Sequence, residues 1–214
     1  WGLAFKYTNK DSLPNEIIDR PLQYNIPFSS ILFQSDIQDV IDNYIHNYNS
    51  PGNNYGKNVI LKGLSNHIYT NSIRNIGCGH RDYIIELLEN IYSPLYSNTN
   101  NIGTNIITEY IASILEKYKD ENYLFNSRDY FKNIFIKNVD IWGFLMSYID
   151  LITLKNPWNN PFQSIIVKVL SEYCFSPTYA VKIIPIYALV NELLSLNIVL
   201  NQPLHFAGYP KLFQ

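Results

Sequence analysis

The chain has 214 residues, of which 47% are apolar and 15% aromatic, enough for one generous domain with a buried core. Its formal net charge is −2, so it lacks the basic excess that neutralises nucleic-acid phosphates. No apolar run reaches the roughly 20 residues that a membrane-spanning helix needs. Two cysteines, Cys78 and Cys174, are too few for a disulfide framework, and reduced thiols in an intracellular compartment are expected.

The first residue is Trp1, and the chain holds a single methionine, Met146. An open reading frame starts with Met, so we expect this chain to be a fragment, a processed product or a trimmed form of a longer protein. The first ten residues also lack the basic-then-apolar order of a signal peptide.

Apolar stripes at helical spacing recur along the chain. Three stripes of six residues cover 37–48, 107–118 and 141–152, and shorter ones cover 84–91 and 166–174. No alternating stretch flanked by hairpin turns stands out. The sequence therefore predicts an all-α fold of six or seven helices.

Polar residues before these stripes predict where helices begin. Ser35 and Gln38 have the spacing of a capping box, in which the Ser hydroxyl and the Gln side chain accept from unpaired backbone N–H groups at the start of the helix. Thr104 and Asp140 are placed as N-caps of the second and third long stripes.

The last helix is expected to begin near Ser176, with Pro177 at its first position, where a missing N–H costs nothing. Pro185 is expected to kink or split it. Residues 47–58 and 97–105 are predicted surface loops because Asn, Gly and Pro concentrate there.

The run Gly77-Cys78-Gly79-His80 admits two interpretations. A thiol beside a histidine suggests a reactive cysteine, but a nucleophile and its base normally meet across the fold rather than along the chain. Paired glycines before a helical segment at Asp82 indicate a turn, which is the interpretation we favour. The four histidines show no zinc-ligand spacing.

Three stretches stand in one order along the chain: Trp1-Gly2-Leu3-Ala4, the run from Asp19 to Ser29, and Asp140-Ile141-Trp142-Gly143-Phe144. They resemble landmarks of the C-terminal lobe of serine/threonine protein kinases, of the kind encoded by large nucleocytoplasmic DNA viruses. The first resembles the residues after the metal-binding Asp. The second resembles the peptide-docking segment, with Pro27 at the Pro of Ala-Pro-Glu and Phe28 in place of Glu. The third resembles the Asp-x-Trp run of the buried central helix.

The resemblance assigns roles to individual residues. Trp1 and Gly2 would belong to the activation segment, and Asp140 and Trp142 would brace the catalytic loop. Peptide docking would involve Arg20, Pro21, Asn25, Pro27 and Ser29. The catalytic and metal-binding residues are expected upstream of Trp1, so this chain itself would supply none.

The resemblance also implies an organisation and partners. Residues 1–214 would form one mostly α domain similar to a kinase C-lobe, with an activation and docking segment (1–34), a helical insertion (35–135) and core helices (136–214). The full-length protein would use ATP and Mg²⁺, which this piece alone would not bind. Its partner would be a protein substrate rather than nucleic acid or membrane, in the host cytoplasm or the virion.

Two alternatives remain open at this point. A non-enzymatic helical interaction or structural protein would also be rich in Tyr and Ile on its helix faces. A pseudokinase would keep the kinase fold without its chemistry, and the absence of a carboxylate at Phe28 is compatible with that.

Overall fold

The structure is a computed structural model that describes residues 12–48, 57–95, 101–152 and 160–200. The fold is mostly α, as predicted. Within the described ranges the α-helices are α1 (Ile37–Tyr48), α2 (Lys57–Asn75), α3 (Arg81–Tyr92), α4 (Ile102–Tyr118), α5 (Ser127–Tyr130), α6 (Ile136–Met146), α7 (Pro161–Val169), α8 (Pro177–Ala180) and α9 (Ile186–Leu200). The same ranges contain no strand, only one isolated antiparallel bridge between Lys119 and Phe125.

Short 3₁₀ and π-helical segments connect or extend the α-helices in the described ranges. Short 3₁₀ helices cover Asn15–Ile17, Phe28–Phe33, Ser93–Leu95 and Ile149–Leu151. A π-helical stretch, Phe131–Phe135, joins α5 to α6, and another, Leu170–Cys174, continues α7. None of the described helices is both long enough and apolar enough to cross a membrane.

Helix α4 lies at the centre of the described structure. It packs against α2, α3, α8 and the 3₁₀ segment Phe28–Phe33. Its residues Ile107, Ile111 and Ile114 are fully buried. Although α4 falls within the predicted insertion 35–135, its buried residues belong to the same hydrophobic core as those of the segments on either side.

Helix α2 has no counterpart among the predicted elements. Its buried face combines Leu61, Leu64 and Ile68 with Ser65 and Ser72. The Ser65 hydroxyl donates a hydrogen bond to the Leu61 carbonyl at 2.7 Å, and this bond makes a buried serine tolerable. Because serines interrupt the apolar stripe, the sequence periodicity does not reveal this helix.

The capping box predicted at Ser35 and Gln38 is wrong. Ser35 donates from both its N–H (2.8 Å) and its hydroxyl (2.9 Å) to the carboxylate of Asp19. The Gln38 amide oxygen accepts from the Phe125 N–H at 3.1 Å. Both side chains are thus used by partners distant in sequence, and α1 begins later, at Ile37.

The N-cap predicted at Thr104 is also wrong, since α4 begins at Ile102 and its cap position is Asn101. In this first turn Gly103 lies close to α3, where a Cβ would be 3.0 Å from Ile85 Cδ1.

The predictions for the C-terminal helices are confirmed. The Ser176 hydroxyl accepts from the Thr178 N–H at 3.1 Å, and Pro177 is the first residue of α8. Helix α8 ends at Ala180, and α9 begins at Ile186, directly after Pro185. The proline therefore separates two helices, because its ring and missing N–H prevent one continuous helix.

The run at Gly77 and Gly79 is a turn, as favoured from the sequence. Both glycines have positive φ, 111° and 54°. The turn lies against residues 19–29, called here the docking-like segment, because the His80 N–H donates to the Leu22 carbonyl at 2.8 Å. Cys78 is exposed at this turn, and the two cysteines are not joined by a disulfide.

Replacing Gly79 by Ala is expected to destabilise the protein more than replacing Gly77 by Ala. A Cβ at Gly79 would lie 2.2 Å from the Leu22 carbonyl oxygen, whereas one at Gly77 meets nothing within 4 Å. The strain of positive φ is larger at Gly77, because 111° lies outside the left-handed region that Ala can adopt, but only Gly79→Ala adds a clash with backbone. Urea unfolding of the two variants tests this, and equal losses would contradict the close approach.

Candidate functional site

Two of the three stretches that resemble kinase landmarks, residues 19–29 and 140–144, are in direct contact, although more than a hundred residues separate them. The indole N–H of Trp142 in α6 donates to the Tyr24 carbonyl at 2.9 Å. The rings of Phe28 and Trp142 meet edge to face, with centroids 5.0 Å apart. Next to Trp142, the backbone at Gly143 also approaches this segment: a Cβ there would lie 3.4 Å from the Asn25 carbonyl oxygen, in ordinary van der Waals contact. We call this contact region the junction.

Phe28 is the centre of an aromatic cluster within the core. Besides Trp142, its fully buried ring meets Tyr110 of α4 at 5.6 Å and Phe175, after α7, at 5.8 Å. Edge-to-face and offset aromatic pairs each add about 0.5–1.5 kcal/mol beyond the area they bury. The segment that contains Phe28 is therefore held by α4, α6 and the end of the α7 region at once.

The residues predicted to dock a peptide are divided between core and surface. Pro27 and Ser29 are buried, while Arg20, Pro21 and Asn25 are half-buried. The Arg20 guanidinium donates to the Glu16 carbonyl. In this conformation a peptide can reach Arg20, Pro21 and Asn25, but Pro27 and Ser29 serve the core.

Asp140 is not the N-cap that the sequence predicts. It lies inside α6, which begins four residues earlier at Ile136 and follows directly on the π-helical turn. Its carboxylate is exposed and has no hydrogen-bond partner among the described residues. One turn further, Phe144 is 42% exposed, so this face of α6 is uncovered within the described structure.

The polar residue that ties α6 to its surroundings is Asn138, which the sequence reasoning did not single out. Its side-chain N–H₂ donates to the carbonyls of Tyr179 (3.2 Å) and Lys182 (2.8 Å). Its side-chain oxygen accepts from the buried Ile184 N–H at 3.0 Å. Asn138 thereby provides hydrogen-bond partners for backbone groups at the end of α8 and in the segment between α8 and α9. No local sequence pattern predicts this role.

The accessible side of the junction is lined by aromatic rings. The Tyr24 ring lies 5.2 Å from the His80 ring and 5.6 Å from the Tyr83 ring. Partial burial, with Asp150, Tyr24 and Glu86 nearby, raises the pKa of Tyr83. Rings flanked by carboxylates can bind a partner, but this arrangement has neither a nucleophile with its base nor phosphate-binding donors.

A buried hydroxyl pair lies behind the junction. The Tyr130 hydroxyl donates to the Ser29 hydroxyl at 2.8 Å. Burial raises the pKa of both Tyr130 and Tyr110, because neither phenolate could be hydrated there. The pair anchors the docking-like segment to the end of α5 and is not open to a ligand.

A cleft of about 760 Å³ lies between α2, α3 and the start of α4. Its two cationic side chains already face carboxylates: Lys62 pairs with Glu109 at 3.1 Å, and Arg81 lies 3.2 Å from Asp82. With these charges compensated, the cleft offers little attraction to an anion. None of the predicted site residues lines it.

Trp1 and Gly2, the predicted activation-segment residues, lie outside the described residues. In the ranges that are described, no group of three or more His, Cys, Asp or Glu could hold a metal ion.

Comparison with known proteins adds no relative: no family model matches the chain, and neither the curated proteins nor the solved structures yield a match.

Asn138→Ala is expected to cost about 2–4 kcal/mol of unfolding free energy, because it leaves two carbonyls and a buried N–H without partners. Asp140→Ala is expected to change the stability by at most about 0.5 kcal/mol, since its side chain is exposed and unpaired in the described structure. Urea unfolding monitored by circular dichroism measures both. A loss of about 1 kcal/mol or more in Asp140→Ala would instead indicate a capping role.

Stability is expected to fall as the pH rises above about 10. Unfolded tyrosines ionise there, whereas the raised pKa values of Tyr110 and Tyr130 keep both protonated in the fold. Each contributes a slope of about −1.4 kcal/mol per pH unit in that window. Tyr130→Phe should be less stable at pH 8 but decline less steeply. A slope in Tyr130→Phe equal to that of the wild type would contradict the retention of the Tyr130 proton in the fold.

Proposed function

We propose that this chain is the substrate-side part of a serine/threonine protein kinase, whose ATP- and Mg²⁺-binding residues precede Trp1. Phosphoryl transfer to a protein hydroxyl requires a lysine on the phosphates, metal-holding side chains and a catalytic base. In this proposal the described helices do not perform the chemistry. They position the protein substrate beside it.

The observation that carries the proposal is the junction. The docking-like segment and the Asp-x-Trp segment resemble parts of one kinase lobe, and the hydrogen bond from Trp142 to Tyr24 and the packing of Phe28 hold them together. The junction therefore places the two resembling stretches in one region of the core. The accessible rings of Tyr24 and Tyr83 at this contact would then face the substrate.

The uncovered face of α6 supports the same proposal. Asp140 presents an exposed carboxylate without a partner in the described residues, and Phe144 is exposed one turn away. A carboxylate can accept backbone N–H groups, and an exposed phenyl ring is stabilised by packing. A catalytic loop supplied by the preceding part of the protein would provide both.

The test is a phosphotransfer assay on the natural reading frame that contains this chain and the sequence before it. Transfer of labelled γ-phosphate from ATP to serine or threonine of a mixed protein substrate is expected, and it should require Mg²⁺. Tyr83→Ala is expected to raise KM for the protein substrate several-fold with KM for ATP unchanged, because Tyr83 lies on the accessible side of the junction. Leu124→Ala, at another exposed side chain, is the matched control and should leave both constants unchanged.

Each outcome separates the candidates. If the upstream sequence carries no lysine, metal ligands or base of the kinase type, the proposal fails. Binding of ATP without any transfer would favour the pseudokinase. Equal effects of Tyr83→Ala and Leu124→Ala would remove the junction from substrate binding.

A second candidate function, a helical interaction protein, is favoured by a separate observation on α9. Four apolar residues of this helix at a spacing of four, Ile186, Val190, Leu194 and Ile198, are all exposed. An exposed apolar stripe of this length is typical of an interaction surface.

A further inference from the structure

Helix α9 carries an apolar face that nothing in the described structure covers. The face, called here the α9 face, consists of Ile186, Tyr187, Val190, Leu194 and Ile198 of the helix together with Ile183, which precedes it, with exposed fractions from 46% to 89%. The residues Ile186, Val190, Leu194 and Ile198 form one i, i+4 ridge along the helix, and Tyr187 stands beside its first turn.

The orientation of α9 is set by its opposite side. Helix α9 packs against α7, and Leu189 and Leu196 are buried. Glu192 on that side pairs with Lys168 at 3.3 Å and accepts from the Tyr173 hydroxyl at 3.3 Å. A rotation that buried the α9 face would break these contacts, so they keep this face turned away from the described core.

The size of the face matches an interface. With roughly 150–220 Å² per fully exposed side chain of these types, the six residues expose about 600 Å², at the upper limit for the largest apolar patch of a typical monomer. Two such faces together would bury about 1,200 Å², the lower end of the range of stable, specific interfaces.

The chemistry of the face points to a second copy of the same chain. The six residues carry no charge, and the only charged side chain of α9, Glu192, faces Lys168. A foreign partner could not be selected here by charge complementarity. An uncharged i, i+4 ridge is complementary to itself, because two such ridges interdigitate at a crossing angle of about −50° under a two-fold axis.

We propose that the α9 face is a homodimer interface, with α9 of one protomer packed against α9 of its partner. This inference gives the second candidate function its partner and is independent of the proposed phosphotransfer. An inactive protein would leave it intact, and a monomeric protein would leave the kinase proposal intact.

Sedimentation velocity of the full chain between 1 and 100 µM tests the oligomeric state. A monomer–dimer equilibrium is expected. Leu194→Glu should weaken it roughly 100-fold or more, because two carboxylates would be buried at the apolar ridge. Val59→Glu is the matched control: Val59 is 52% exposed on α2, as Leu194 is on α9, and this variant should dimerise like the wild type. Circular dichroism checks that both variants remain helical.

Cross-linking tests the geometry of the dimer. In a Cys78→Ser background, Val190→Cys and Leu194→Cys lie near the middle of the ridge, and at least one should give an oxidised dimer. Val59→Cys in the same background should not.

Two results would overturn the proposal. One is a full chain that stays monomeric at 100 µM. The other is a dimer that Val59→Glu weakens as much as Leu194→Glu. If the full chain is monomeric and a variant ending at Leu200 dimerises, the occupant of the α9 face is residues 201–214 and not a second copy.

Discussion

The burial of Phe28 is the constraint on which the rest of the described structure depends. Its ring lies among Tyr110, Trp142 and Phe175, which come from three separate parts of the chain. Truncating a fully buried Phe to Ala typically costs about 3–5 kcal/mol, because transfer and cavity terms add. The kinase motif that this segment resembles has a glutamate at this position. Here a ring fills it, and a carboxylate among these aromatic side chains would be desolvated without a cationic partner in the described structure. The departure from the motif is thus matched by the residues around it.

The two candidate surfaces follow from the same packing. The segment that contains Phe28 is held so that Tyr24 faces outward, above the indole of Trp142, while Ser29 faces inward towards Tyr130. At the other side, α9 is held by Leu189, Leu196 and the Glu192 contacts, and its opposite ridge is left exposed. One surface is aromatic and flanked by carboxylates, and the other is apolar and uncharged. The proposed substrate recognition and the proposed self-association would therefore involve different parts of the molecule, so that each can be tested by mutation without the other.

Little of the candidate site was predictable from the sequence. The motifs around Pro27 and Trp142 lie in two segments that meet in space, but no sequence pattern predicted that contact. Asp140 was predicted as a cap because it precedes an apolar stripe. The turn before it is itself helical, so the backbone N–H groups that a cap would bind are already used within the helix. Asn138 was missed because its partners, Tyr179, Lys182 and Ile184, lie some forty residues further along the chain. No local pattern encodes such a contact.

The amino-acid sequence by itself determined the helical class, the start of α8 at Pro177, the separation of α8 from α9 by Pro185, and the turn at Gly77 and Gly79. These features depend on steric rules that act within a few residues. Only the tertiary structure decided where α1 begins, because Ser35 pairs with Asp19, and it places Gly103 against Ile85 in the first turn of α4. It also decided that α2 is a helix whose buried face contains serines, and that the apolar ridge of α9 stays exposed. Hydrophobic periodicity shows that a helix has an apolar face, but what that face packs against depends on the rest of the chain.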